Sequence, residues 1–240
     1  MWRRSDVHLK LARMSDILSA AESQALLLSL QVSAVAIVCA LPFAFLTALL
    51  LARVRFAGKT LVDGIVHLPL VLPPVAVGYL LLVAFGSRGP LGSWLLHNFG
   101  IRFVFSWTGA ALASALITFP LQVRAIRLTL EGSDAGLGEA ARTLGAGAFD
   151  RLVNITLPLA WPGILSGAIT ALAASLGEFG AIITFVSNIP GQTQTLPLAI
   201  YAALQAPGGE AEAARLCVLS ILLALVFMTA GEFASRRARP

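Results

Sequence analysis

Few residues in this chain of 240 amino acids have the types and spacing that catalysis or metal binding needs. The three histidines and two cysteines show no metal-ligand spacing, and no Ser/His/Asp set is arranged for nucleophilic catalysis. Gly58-Lys59-Thr60 matches the end of the phosphate-binding loop G-x-x-x-x-G-K-[ST], but Arg53 occupies the position of its first glycine and no strand precedes it. We therefore expect no enzyme activity and no cofactor, and any ATP hydrolysis requires a separate subunit.

Glu178 is the most informative ionisable residue, because it lies inside a long apolar run. A carboxylate at such depth is costly and usually faces a cavity or a partner group. Three roles remain open: a structural or gate role with an Arg or backbone N–H partner, direct participation in a transport pathway, or a solvated helix end. The neighbouring Gly177 and Gly180 allow close helix approach, as at a dimer interface or a narrow gate, and Phe179 lies between Glu178 and Gly180.

A second cluster, His67 to Tyr79, is rich in proline. Pro69, Pro73 and Pro74 each remove a backbone N–H, which predicts a bent or broken helix. Such breaks either line a cavity or kink a helix for packing. His67 is expected to be a packed, hydrogen-bonded group near Asp63, with a pathway-lining role as the alternative. The candidates for the pathway or gate are Pro73, Pro74, Gly177, Glu178, Phe179 and Gly180.

The composition identifies the environment in which these residues act. Hydrophobic residues make up 58% of the chain and charged residues 12%, and the mean hydropathy is +0.85. Soluble domains have roughly 45–50% apolar and 25% charged residues, so an ordinary soluble enzyme, a disordered chain and a disulfide scaffold are excluded. The net charge of +5 comes from Lys and Arg between apolar runs, which is typical of cytoplasmic loops near anionic lipid and not of nucleic-acid binding.

The apolar runs predict an all-α, polytopic membrane protein with five spans. The spans lie at about 25–52, 64–87, 103–123, 163–186 and 213–233. The run 196–204 is too short to cross a bilayer and is interpreted as a re-entrant or interfacial segment. Residues 1–24 are treated as a leader, 25–233 as the transmembrane domain and 234–240 as a tail.

The positive charges predict the orientation. Loop 53–59, loop 124–151 and the tail together hold ten Lys and Arg residues, whereas the loops on the other side hold three. The first set is therefore predicted to be cytoplasmic, with the C-terminus inside and the N-terminus outside. Four basic residues within the first thirteen oppose this arrangement, which suggests the hypothesis that translation starts at Met14 and not at Met1.

Loop 131–162 carries a short amphipathic pattern. The apolar positions that recur at helical spacing are Leu137, Ala141, Leu144 and Ala148. Asp134 or Ser133 is placed to cap the helix, and Gly145 to Gly147 favour a sharp turn. A short helix between spans cannot bury such a face alone, so we expect it to enter a groove on a partner. The alternative is a helix that only lies on the membrane surface.

The spacing in this loop resembles the complete EAA loop of ABC-importer permeases. The matching positions are Glu139, Ala140, Ala141, Leu144, Gly145, Ile155, Leu157 and Pro158. The resemblance implies a type I importer helical bundle whose loop 131–162, called the coupling loop below, fits a cleft of the ATP-hydrolysing subunit. It further implies two permease copies on two ATPase copies, with an extracytoplasmic binding protein docked on the outer loops 88–102 and 187–212.

Other stretches narrow the resemblance to molybdate-type permeases. These are His67 to Tyr79, Ser175 to Gly180, Thr184 to Gly191 and Thr195 to Pro197, and the likeness extends over 25–233. It implies a bacterial inner-membrane subunit that takes up molybdate, with tungstate as an expected co-substrate. A sulfate or thiosulfate permease is the alternative within the class, because such permeases are similar around Gly177 to Gly180. A channel or membrane-embedded enzyme, which acts without an ATPase, is the alternative from another class.

Overall fold

The computed structural model describes residues 19–134 and 136–237, and every regular element in these ranges is helical. In chain order the helices are α1 (Ala20–Arg53), α2 (Lys59–Val71), α3 (Pro74–Phe85), α4 (Pro90–Phe99), α5 (Trp107–Glu131), α6 (Gly136–Thr143), α7 (Ala148–Arg151), α8 (Leu157–Leu176), α9 (Gly180–Val186), α10 (Leu196–Gln205) and α11 (Glu210–Arg237). A π-helical turn, Leu152–Thr156, joins α7 to α8. The all-α prediction is confirmed, whereas the choice between Met1 and Met14 lies outside the described residues.

Four helical runs are long and apolar enough to cross a membrane, namely α1, α5, the run from α7 to α8, and α11. The pair α2 and α3 is long and apolar enough only when taken together, and it bends by 112° at its break, which is compatible with a fifth, broken span or with a re-entrant loop. The first helix begins with a capping box, in which the Ser19 hydroxyl accepts a hydrogen bond from the Glu22 amide and the Glu22 carboxylate accepts one from the Ser19 amide. Its 34 residues extend about 51 Å at 1.5 Å per residue, which is longer than the hydrocarbon core.

The break between α2 and α3 follows from the prolines, as the sequence predicts. Leu72 has extended backbone angles, φ −72° and ψ 143°, because a following proline disfavours the helical region. Pro73 and Pro74 then begin α3, where a missing N–H costs nothing. Pro69 is accommodated inside α2. The predicted span 64–87 is thus two helices that meet at an angle.

The predicted span 163–186 needs correction, because it is not one helix. Pro158 and Pro162 favoured a membrane segment starting near 163, but α8 already begins at Leu157, with Pro158 in the first turn, where proline is tolerated. The helix then ends at Leu176, and 177–179 separate it from the short α9. The predicted span 103–123 is shifted as well: α5 begins after a Ser106 cap and continues to Glu131.

The core of the described chain lies where α1, α5 and α8 pack together. Small side chains dominate it, and Ala44, Ala48, Ala110 and Ala113 have no exposed surface. Small residues let helix backbones approach closely in a membrane, where no hydrophobic effect drives helices together. The Ser175 hydroxyl on α8 donates a hydrogen bond of 2.8 Å to the Ser33 hydroxyl on α1. This contact fixes the end of α8 against the first helix.

Large apolar surfaces of α2, α3 and α11 remain uncovered. Leu61 on α2 is 69% exposed, and Tyr79 on α3 is 59% exposed. Only 11% of the most apolar window of α11 is buried. Surfaces of this size require lipid or another protein chain.

Candidate functional site

The coupling loop begins with a short, well-capped helix. The Asp134 carboxylate accepts a hydrogen bond of 2.8 Å from the Gly136 amide, so Asp134 caps α6. Ser133, the other candidate cap, instead donates to the Leu130 carbonyl. Of the EAA positions, Glu139 and Ala140 are exposed on α6, and Ala141 is half-buried.

The helix ends in a Schellman motif that depends on Gly145. Gly145 has φ +88°, the Ala146 amide donates to the Ala141 carbonyl at 2.9 Å, and the Gly145 amide donates to the Arg142 carbonyl at 3.1 Å. This pair of bonds satisfies carbonyls that the helix end would otherwise leave unpaired. A left-handed residue at this position favours glycine, because a Cβ would approach the following carbonyl oxygen.

The predicted continuous stripe Leu137, Ala141, Leu144 and Ala148 needs correction, because α6 ends at Thr143 and Ala148 begins α7. The glycine turn redirects the chain, so these positions do not share one helical face. Leu144, in the turn after α6, is 88% exposed, and Phe149, on α7, is 78% exposed. Sequence reasoning missed Phe149, although a phenylalanine next to charged residues in a loop is a usable signal.

The coupling loop continues into the membrane bundle without an irregular linker. The chain passes from α7 through the π turn, where Ile155 is half-buried, directly into α8, where Leu157 and Pro158 are exposed. The Leu157 amide donates to the Leu152 carbonyl and closes the turn. The last part of the coupling loop and α8 thus form one continuous helical run from Ala148 to Leu176.

The second group of predicted residues meets at the breaks of two helices. A Cβ built on Gly180 would lie 2.9 Å from the Pro74 Cβ, and a Cβ on Gly78 would lie 2.6 Å from the Ala181 carbonyl oxygen. Glycine at both positions therefore permits α9 to rest against the first turns of α3. We call this contact, together with residues 177–179, the helix-break site. Gly177 does not take part in the close approach, because the nearest atom to a Cβ built on it is the Ala174 carbonyl oxygen of the preceding helix, at 3.7 Å.

Glu178 lies at the centre of the helix-break site and is 7% exposed. Its carboxylate accepts a hydrogen bond of 2.8 Å from the Ala181 amide, which caps the start of α9. No arginine pairs with it among the described residues. Phe179 packs its ring against Tyr201 on α10, with 5.2 Å between ring centroids. The geometry supports the first of the three predicted roles, in its backbone-capped form.

The two groups of residues lie far apart along α8. From Leu157 to Leu176 the helix has 20 residues, about 30 Å at 1.5 Å per residue. The coupling loop thus lies at one end of α8 and the helix-break site lies just beyond its other end.

An ion-pair network that the sequence did not predict joins α2 to α5 near the coupling loop. Arg127 contacts the Asp63 carboxylate at 2.9 Å and the Glu131 carboxylate at 2.7 Å. The His67 Nδ1 atom lies 2.9 Å from the Asp63 carbonyl oxygen, in agreement with the predicted packed, hydrogen-bonded role. The Arg127 to Glu131 spacing was a usable signal, whereas the pairing with Asp63 spans 64 positions.

At the opposite end of the bundle, the segment between α9 and α10 is held by one buried threonine. The Thr193 hydroxyl donates to the Ser187 carbonyl and accepts from the Ile189 amide, each at 2.9 Å. Ser187 has φ +64°, a left-handed conformation in a residue other than glycine. In the predicted docking segments 88–102 and 187–212, Trp94 on α4 and Leu204 on α10 each expose more than half of their surface. The predicted docking loops thus combine a stiff backbone with exposed apolar side chains.

Residues 27–240 match the family described as "binding-protein-dependent transport system inner membrane component". The chain is 57% identical over 223 residues to the molybdenum transport system permease protein ModB of Escherichia coli K12, covering 93% of this chain and 97% of that protein. It is 36% identical over 184 residues to the sulfate transport system permease protein CysT of the same organism, covering 75% of this chain and 66% of that protein.

A solved structure has the same fold. It is the crystal structure of a bacterial alginate ABC transporter in complex with an alginate pentasaccharide-bound periplasmic protein. The TM-score is 0.73 at 22% identity, over 92% of this chain and 80% of that one.

Proposed function

This chain belongs to the binding-protein-dependent transport system inner membrane component family, and from this membership we propose that it is the permease subunit of an ATP-binding-cassette importer for molybdate. The observation that carries the proposal is the 57% identity, over 93% of the chain, to a molybdenum transport system permease. Tungstate is a second expected substrate, because the two anions have the same charge and nearly the same shape.

Sulfate is the alternative substrate, and the comparisons favour molybdate over it. Identity to the sulfate permease is 36% and covers 75% of this chain, against 57% and 93% for the molybdenum permease. A tetrahedral oxyanion of either kind is compatible with the same bundle. We therefore assign molybdate as the substrate on overall sequence similarity, and competition between molybdate and sulfate tests this assignment.

The ATP-hydrolysing partner is a separate subunit that binds the coupling loop. Two observations support this part of the proposal: Leu144 and Phe149 are exposed by 88% and 78%, and the sequence contains no complete phosphate-binding loop. Apolar side chains at the tip of a short helix are typical anchors for a groove on a partner. Two ATPase copies, one for each permease, then act on two coupling loops.

A second copy of this chain completes the pathway. The uncovered apolar faces of α2 and α3, with Leu61 and Tyr79 at 69% and 59% exposure, support a helix-to-helix contact with another permease. A single bundle of five spans is too thin to enclose a solvated path by itself, whereas two bundles enclose such a path between them. The helix-break site, with Pro73 and Pro74 on one helix and Glu178 on the other, is the proposed gate.

The coupling loop faces the cytoplasm and the loops 88–102 and 187–212 face the binding protein. The charge distribution supports this orientation, because the basic residues concentrate at the coupling-loop end. A substrate-loaded binding protein then docks on the stiff outer segment around Thr193. The C-terminus is cytoplasmic in this arrangement.

The mechanism follows from the continuous path between loop and gate. ATP binding draws the two ATPase subunits together and moves both coupling loops with them. Because α7, the π turn and α8 are joined without an irregular linker, each loop carries α8 with it. The movement reaches the helix-break site, where α8 ends and α9 contacts α3, and opens the path outward. Hydrolysis returns the inward state, so the loop biases a two-state equilibrium without touching substrate.

The proposal is tested by uptake of radiolabelled molybdate into proteoliposomes that contain the chain with its ATPase and binding protein. We expect ATP-dependent uptake that unlabelled molybdate and tungstate suppress at micromolar excess and sulfate does not. Suppression by sulfate at the same concentration, with little effect of molybdate, would reassign the substrate. Normal uptake with the ATPase omitted would reject the importer class itself.

A further inference from the structure

A cleft of about 1040 Å³ opens at the coupling-loop end of the bundle. Its walls come from the last turns of α1, the connection from α1 to α2, the coupling loop and the start of α8. The exposed Leu144 and Phe149, which we assign to the ATPase contact, are not part of its lining, whereas the EAA positions Glu139 and Ile155 are.

The charges in this cleft are unbalanced toward positive. Four basic residues line it, Arg53, Arg55, Lys59 and Arg151, against the two acidic residues Asp134 and Glu139. None of the four basic side chains forms an ion pair within the part of the chain that the structure describes. An anion is the ligand that this arrangement favours.

The hydrogen bonds around the cleft leave its excess of positive charge in place. Arg53 donates a hydrogen bond of 2.8 Å to the neutral Ser133 hydroxyl, and the Asp134 carboxylate accepts one from the Gly136 amide and keeps its negative charge. The Nε atom of Arg151 is buried and has no hydrogen-bond partner among the described residues. Arg151 lines the cleft, and a guanidinium binds phosphate oxygens through charge-assisted hydrogen bonds.

The opposite wall of the cleft is apolar and follows one face of α1. Leu46, Leu49, Leu50 and Arg53 line it and are spaced as one helical face. Leu46 is 57% exposed and Leu50 is 42% exposed. Along this wall the leucine side chains are followed by the Arg53 guanidinium at the end of α1. A phospholipid needs the same order, with apolar surroundings for its acyl chain and a positive charge at its phosphate.

We infer that this cleft binds an anionic phospholipid of the adjacent leaflet, with its phosphate among Arg53, Arg55, Lys59 and Arg151 and an acyl chain along Leu46 and Leu50. The inference rests on the proposed function for its orientation, because the coupling-loop end must face the cytoplasmic leaflet, where basic pockets between helices bind anionic headgroups. A free inorganic anion does not use the leucine wall. A bound lipid ties the α1–α2 connection to the coupling loop and holds the loop in place for its partner.

The test uses the intact transporter, purified in detergent with equimolar phosphatidylglycerol and phosphatidylcholine and measured by native mass spectrometry. The test variant is R53Q/R55Q. Each basic residue near the surface changes the binding of anionic lipid by about fivefold, so the pair lowers phosphatidylglycerol retention by about 25-fold. The matched control is R88Q/R102Q, which removes the same charge from the opposite end of the bundle and leaves retention unchanged.

A second variant separates charge from folding. R53K/R55K loses the guanidinium hydrogen bond to Ser133 but keeps both charges, so it retains phosphatidylglycerol within a few fold of the unmodified protein. Equal retention by the glutamine and unmodified forms overturns the inference, as does equal retention of phosphatidylcholine. Displacement of the lipid by millimolar glycerol phosphate assigns the cleft to free anions and overturns it too.

Two further outcomes keep this inference apart from the proposed function. If R53Q/R55Q sheds ATPase subunits while its lipid count stays unchanged, the cleft is part of the ATPase contact and no lipid site exists. If the unmodified transporter takes up molybdate but retains no anionic lipid, only the lipid inference fails. Loss of uptake in the unmodified complex would instead count against the proposed function.

Discussion

Substituting Gly145 by alanine tests whether the shape of the coupling loop is needed for transport. Gly145 has φ +88°, and a Cβ built there meets no atom within 4 Å. Any free-energy penalty therefore comes from the backbone conformation of residue 145 itself and not from a clash with another part of the structure. Holding an alanine in the left-handed region costs about 1–2 kcal/mol, equivalent to about a 5- to 30-fold shift at 1.4 kcal/mol for each factor of ten.

This free-energy penalty weakens binding of the ATPase, because α6 has only eight residues. A helix of that length is marginal by itself, and only the fraction with the correct loop end binds the ATPase. We expect G145A to weaken ATPase binding and to lower molybdate uptake by about 5- to 30-fold. Binding is measured by titrating the purified ATPase onto permease in nanodiscs, and uptake is measured in proteoliposomes.

Two matched variants isolate the cause. G138A adds the same methyl group inside α6, where its Cβ also meets no atom within 4 Å, and it stabilises the helix by about 1 kcal/mol. G145N introduces a larger side chain that tolerates the left-handed region, so it binds the ATPase better than G145A. If G145N is worse than G145A, or if G145A equals G138A, backbone conformation at this position is not the reason for the glycine.

Three other changes probe the loop and the gate. G180A forces a Cβ to within 2.9 Å of Pro74, and overpacking of this kind costs about 1–3 kcal/mol; thermal unfolding of the purified protein should show the loss, while G177A, which has room, should not. E178A removes the cap of α9 and costs about 1 kcal/mol, whereas E178Q keeps an acceptor oxygen and near-normal stability; equal unfolding temperatures for the two would argue against capping. E139A should abolish uptake while membrane insertion, followed by protease protection, stays intact, and normal transport by this variant would contradict the assignment of the coupling loop.

Hydropathy and proline position were enough to predict the membrane bundle. Long apolar runs identify α1, α5 and α11, because a span needs an unbroken apolar surface and these helices have one. The prolines predicted the break between α2 and α3 for the same local reason that produces it, namely the restriction that Pro73 places on Leu72. Features that depend on a few neighbouring residues are thus readable from the sequence.

Features that depend on distant residues were not predictable. The break after Leu176 was not predicted, although Gly177, Glu178 and Gly180 interrupt the apolar run there. The close approach of Gly180 to Pro74 joins residues from two separate helix pairs. Arg127 and Asp63 are likewise 64 positions apart. In the coupling loop, the spacing implied one continuous helical stripe, because periodicity does not register the turn at Gly145.

The most direct test of the account measures concentrative molybdate uptake while single components are omitted. Proteoliposomes containing the permease, the ATPase and ATP on the coupling-loop side, with loaded binding protein on the opposite side, should accumulate molybdate above its external concentration. Omitting the ATPase should reduce accumulation to the level of empty liposomes. Accumulation by the permease alone, or accumulation driven by ATP supplied only on the binding-protein side, would contradict the claim that the coupling loop receives its movement from a separate ATPase.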